Sequence, residues 1–104
     1  MTKKEKLIYT AGMIDGDGHF CKPFITNGRG EKKRYPRIVV VQKDRAVIDW
    51  LKENFGGNIH EHKRHGFGLT DIWRWTLTGK KVTEMAQEML PYLIVKREQV
   101  KRVL

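Results

Sequence analysis

Thr10-Ala-Gly-Met-Ile-Asp-Gly-Asp-Gly18 is the stretch on which the reading of this chain turns. It closes a segment, Lys3 to Asp17, in which Leu7, Ile8, Ala11 and Ile14 recur at helical spacing. A helix that ends in two carboxylates and two glycines conflicts with ordinary capping. The carbonyl dipoles at a helix C-terminus already present negative charge, so that end favours cations. Asp15 and Asp17 therefore repel the dipole unless positive charge sits beside them. A divalent cation resolves the conflict by taking carboxylate and carbonyl oxygens as ligands. The plainer alternative is that Gly16 and Gly18 only stop the helix while Asp15 is solvated in a turn. Gly12 and Gly16 lie four apart on one face with Ala11 beside them, which leaves room for another backbone to approach.

Reading outward, His19 to Thr26 alternates loosely around Phe20, Phe24 and Ile25 and predicts a strand. A turn at Asn27-Gly-Arg-Gly30 leads into the basic run Lys32-Lys-Arg34, and β-branched Arg37 to Gln42 predicts a second strand. Asp44 can cap a helix whose Val47, Ile48, Leu51 and Phe55 form an apolar stripe ending at Gly56-Gly57. Asn58 to His65 and Ile72 to Leu77 predict a second hairpin around Gly66-Phe-Gly68. A helix from Lys80 to Met89 with Val82, Met85, Ala86 and Met89 on one face stops at Pro91, and Val95 to Leu104 can form a last basic helix. The order αββαββα predicts an α+β fold: one domain, residues 1–104, with a four-stranded antiparallel sheet and its helices on one face.

Twenty-one Lys and Arg against twelve Asp and Glu leave a formal charge of +9 on 104 residues. Such a field captures polyanions, nucleic acid first among them. No apolar stretch is long enough to span a bilayer, and Met1 to Lys6 has the charge but not the apolar core of a signal peptide. The single cysteine, Cys21, rules out an internal disulfide and fits a reducing compartment, so the expected location is cytoplasm or nucleoid rather than outside the cell.

The nonapeptide resembles the motif that names the LAGLIDADG homing endonucleases, with Thr10 the clear departure, and the αββαββα order is similar to theirs over nearly the whole chain. The resemblance implies two motif helices packed at the centre of the molecule, each presenting an acid to one DNA strand. It also implies a divalent ion, usually Mg2+ though Mn2+ or Ca2+ can occupy such sites, bound by that acid and the carbonyl before it. By position these are Asp17 and the carbonyl of Gly16, with Asp15 in support. Gln42-Lys43 resembles the end of the second strand in the compact, homodimeric branch, where the glutamine holds a water. Pro91-Tyr-Leu-Ile-Val-Lys96 resembles the run that brings a lysine to the scissile phosphate. The implied catalytic set is Asp17, Gln42 and Lys96. One motif per chain implies a homodimer, joined through Ala11, Gly12, Ile14 and Asp15, and a near-palindromic double-stranded target.

A sheet reads DNA by laying its strands in the major groove. Arg29, Lys32, Lys33, Arg34 and Arg37, with Lys22 on the strand before them, are the expected contacts on the first hairpin. Ile38 and Val40 are expected to face the helices, which leaves Val39 beside Arg37 toward DNA, and Ile59 inward leaves His60, His62 and Arg64 outward. If Trp73, Trp75 and Leu77 are core, Arg74 and Thr76 face DNA; a slip of one residue reverses that assignment. His60, His62, His65 and Cys21 match the spacing of no closed zinc site. Two rival readings stand beside the nuclease: a non-cleaving DNA-binding regulator or RNA-splicing maturase with the same fold, and a small RNA-binding protein that stacks bases on Trp73 and Trp75.

Overall fold

The computed structural model describes residues 1–63 and 71–104. Helix α1 (Lys3–Asp17) opens on a capping box: the Glu5 amide donates to Thr2 Oγ1 at 3.1 Å, and the Thr2 amide donates to the Glu5 carboxylate at 2.8 Å. Its buried stripe is Leu7, Thr10, Ala11 and Ile14, whereas Ile8 is 41% exposed. Thr10 replaces Ile8 in the core because its hydroxyl donates to the Lys6 carbonyl at 2.7 Å, so no polar atom is stranded.

The helix passes into strand β1 (Gly18–Cys21) without a connecting turn. Gly18 is extended there, and its requirement is space. An added Cβ would lie 2.8 Å from the Val39 carbonyl and 3.0 Å from the Ile14 Cα. Strands β2 (Phe24–Thr26) and β3 (Lys32–Arg34) form a separate two-stranded ribbon, and β4 (Arg37–Gln42) returns beside β1. The single strand expected over His19 to Thr26 is therefore two, broken at Lys22-Pro23 opposite Pro36, because proline brings no N–H to the ladder. The register survives the break: Cys21 pairs with Arg37 and Phe24 with Arg34, and Tyr35 still donates to the Pro23 carbonyl at 3.1 Å.

Helix α2 (Arg45–Phe55) begins at Asp44, whose carboxylate accepts from the Ala46 amide at 2.9 Å. Strands β5 (Asn58–His62) and β6 (Ile72–Thr78) complete an antiparallel sheet in the order β1-β4-β6-β5. Helix α3 (Lys80–Met89) and a 3-10 turn (Leu90–Tyr92) follow, and α4 (Arg97–Val103) starts two residues later than expected. The core lies between the sheet and the helices. Ile38, Val40, Trp75 and Leu77 reach it from the sheet, with Trp73 packed at its margin. Fully buried Trp75 donates its indole N–H to the Gly56 carbonyl at 2.7 Å. Gly57, at φ +92°, lies where a Cβ would collide with the Thr76 carbonyl. Helix α4 runs along the free edge of β1, where Gln99 Oε1 accepts the Phe20 amide at 3.0 Å, so this edge is closed to strand pairing.

Gly18→Ala should cost about 1–3 kcal/mol by forcing α1 from β4, read as a lower midpoint in urea unfolding. An unchanged midpoint would mean the junction has slack.

Candidate nucleic-acid interface

Strand alternation places His19, Arg37, Val39, Val41, Ile72, Arg74, Thr76, His60 and His62 on the sheet face away from the helices. The core position of Trp75 and Leu77 decides the register, so Arg74 and Thr76 are outward as expected. Val39 sits between His19 and Thr76, Arg74 between Val41 and His60. Among the described sheet residues this face carries no carboxylate, since Glu61 pairs with Trp73 on the other side. Val39 is only 6% exposed, so it forms the floor between its neighbours rather than a projecting contact. Arg37 is held across the strands by donating from Nε to Thr78 Oγ1 at 3.0 Å.

The first hairpin divides its cations between two directions. Arg29 is exposed beside the tip, where the Asn27 side chain accepts the amides of Arg29 and Glu31 at 2.9 and 3.0 Å. Lys33 pairs with Ile25, whereas Lys32 and Arg34 alternate to the other side with Thr26 and Phe24. The Arg34 guanidinium donates to the Lys22 carbonyl at 2.9 Å and stacks 5.4 Å from the Phe24 ring. Lys22 and Arg34 line a cleft with Gln99 and Arg102 of α4. Lys22 and Arg34, expected on the DNA-facing sheet, thus line its flank, and Lys32 shares the side of Arg34 because alternate residues of a strand point in opposite directions. Arg64 and His65, with the turn expected at Gly66 to Gly68, lie outside the described residues.

Asp17 is exposed at the end of α1 and accepts a short hydrogen bond from Gln42 Nε2. The two side chains line a shallow cleft with Val41, Lys43 and Ile72. The helical partner of the Gly16 carbonyl would be the Phe20 amide, which Gln99 has taken. The Gly16 carbonyl thus lacks its usual helical donor next in sequence to the exposed Asp17 carboxylate, and both are oxygen donors of the kind a hard divalent cation takes. Among the described residues no three His, Cys, Asp or Glu side chains gather as a metal cluster.

Asp15 departs from the expected arrangement. Its carboxylate accepts the amides of Ile94, Val95 and Lys96 at 2.7, 3.1 and 2.9 Å, and these donors offset the helix dipole without a cation. Ala11 and Ile14 are fully buried in the chain's own core, which corrects their placement on a dimer surface. Of the four residues expected there, Gly12 is exposed, and an added Cβ on it or on Gly16 meets nothing within 4 Å. Lys96 does not line the Asp17 cleft. Its charge bears on His19, whose pKa is lowered first by burial and then by the positive charges of Lys96 and Arg74. His19 is the site neighbour missed in the sequence reading, although alternation with buried Phe20 already marked it as outward.

Scans against protein families and curated proteins find no match. Solved structures do match. The homing endonuclease I-CvuI in complex with the I-CreI target superposes with a TM-score of 0.73 at 20% identity, over 97% of this chain and 64% of that one. The archaeal intron-encoded I-Vdi141I complexed with DNA gives 0.72 at 22% identity, over 98% and 66%. The homing endonuclease I-TnaI gives 0.65 at 24% identity, over 98% and 69%. The fold is that of the LAGLIDADG homing endonucleases. The chain spans about two thirds of the length of these LAGLIDADG structures. The nonapeptide forms the last turns of α1 and the first residue of β1.

Because its pKa is depressed, His19 should stay neutral to a lower pH than an ordinary histidine. Removing the Lys96 charge, as in Lys96→Ala, should raise that pKa in an NMR titration. An unmoved pKa would place the ammonium elsewhere.

Proposed function

We propose that this chain is a LAGLIDADG homing endonuclease that makes metal-dependent double-strand breaks in a long, near-palindromic DNA site as a homodimer. The observation that carries the proposal is the exposed Asp17–Gln42 pair at the end of α1, beside a cationic sheet face that carries no carboxylate among the described residues. A +9 charge brings DNA to that face, and phosphate contacts from Arg and Lys set its register. Related folds support the partner: the I-CvuI and I-Vdi141I structures hold DNA, and I-CvuI was crystallised with Mg and with Ca. Asp17 and the Gly16 carbonyl would hold the divalent cation, which supplies Lewis acidity at the scissile phosphate. Gln42 fixes the Asp17 carboxylate and offers a polar group to water, while Lys96 brings positive charge to the phosphate.

Two copies are needed because each chain provides a single acid. Ile8, Gly12 and Gly16 fall on one line of the exposed α1 face, four residues apart, with Tyr9 beside them. Open space above both glycines lets a partner helix come close, and exposed Ile8 and Tyr9 supply apolar area to cover. A two-fold axis along this face sets two Asp17 carboxylates near each other, one for each strand.

The proposal is tested by incubating the protein with a duplex library and Mg2+, then sequencing the ends produced. Breaks at one near-palindromic site, lost in Asp17→Asn with DNA affinity retained, are expected. Selective binding without breaks in the wild type would favour a regulator or maturase. Gly12→Leu should turn the dimer into a folded monomer in sedimentation, since the protomer itself has room for the side chain. A dimer that survives the substitution would move the interface off α1.

A further inference from the structure

Asp15 and Asp17 share the last turn of α1 but face different partners. Asp17 reaches Gln42, whereas Asp15 spends its carboxylate on three consecutive amides about eighty residues away in sequence, those of Ile94, Val95 and Lys96. Hydrogen bonds from backbone N–H groups to an ionised carboxylate are among the stronger kind. An ionised carboxylate has about four lone-pair positions, and three are occupied here. Asp15 is thereby unsuited to serve as a direct metal ligand. A second tie lies three residues beyond Lys96, where Gln99 Oε1 holds the Phe20 amide. The ties bracket Lys96, and both anchor on the 15–20 stretch that also carries Asp17 and His19. Ile94 and Val95, both within the first tie, are 84% and 69% exposed, so their own side chains add little packing to fix the backbone there.

We infer that Asp15 is a positioning residue, whose clasp on residues 94–96, with the Gln99–Phe20 bond, sets Lys96 at a fixed place relative to Asp17. The role rests on the nuclease reading, because it is to DNA phosphate that Lys96 is delivered. Two groups on separate elements act on one phosphate only if their separation is held, and misplacement of about 1 Å can cost about a hundredfold in rate.

The test combines single-turnover cleavage at saturating DNA with amide hydrogen exchange, for the wild type, Asp15→Asn, Lys96→Ala and the double variant. Asp15→Asn is expected to speed exchange at residues 94–96, leave DNA affinity unchanged and slow cleavage about a hundredfold. In the Lys96→Ala background the same substitution should cost no further rate, which a general loss of structure would not reproduce. Should Asp15→Asn fail to fold, Gln99→Ala loosens the second tie and should slow cleavage by a smaller factor, again only while Lys96 is present. Additive losses in the cycle, unchanged exchange at 94–96, or a cleaving wild type matched by an equally fast Asp15→Asn would overturn the positioning role. A wild type that cleaves no duplex would instead remove the nuclease reading itself, whatever the exchange shows.

Discussion

The close contact between the end of α1 and β4 is the constraint on which the rest of this structure depends. Gly18 lies against the Val39 carbonyl with no room for a side chain, so α1 must deliver its last turn directly onto the sheet. Helix and strand meet without a loop. The carboxylate of Asp17 consequently arrives at the end of β4, within reach of Gln42, and His19 emerges on the opposite face one residue before buried Phe20. A looser connection would let the acid wander relative to the basic face beside it.

The two motif acids show how environment divides similar residues. Both sit where the helix dipole disfavours negative charge. Asp15 is compensated by backbone donors and becomes part of the scaffold. Asp17 has a neutral amide as partner and stays exposed, so it retains a demand for positive charge. The sheet adds to the contrast, because its outward described residues include Arg37, Arg74 and three histidines without an acid. A field of that sign acts on any polyanion across the whole face, while the exposed carboxylate of Asp17 stands at one place, at its end beside Gln42.

Most of the architecture was legible from periodicity. Helices α1, α2 and α3 and strand β4 begin and end where apolar spacing, Asp44 and the glycines put them. Buried Trp75 resolved the one open question of face, through a cross-sheet packing that a single strand does not encode. What was not legible depended on contacts between distant segments. Ala11 and Ile14 looked fit for a dimer surface because their own helix does not say which side the sheet will cover. Thr10, outside the apolar spacing that named Ile8, enters the core because its hydroxyl is satisfied by the Lys6 carbonyl. The partners of Asp15 could not be read from a turn when they lie at residues 94–96. In the first hairpin, Lys32 and Arg34 belong to a run of basic residues expected to face DNA together, although alternation puts them on the side opposite Lys33.

The claim that this helix end is a metal-dependent centre can be tested directly by adding Mn2+ to the isotope-labelled protein and mapping paramagnetic broadening of its NMR signals. Broadening centred on Gly16, Asp17 and the Gln42 side chain, and abolished by Asp17→Asn, is the predicted result. Broadening centred instead on His60 and His62, or unchanged in Asp17→Asn, would contradict the account.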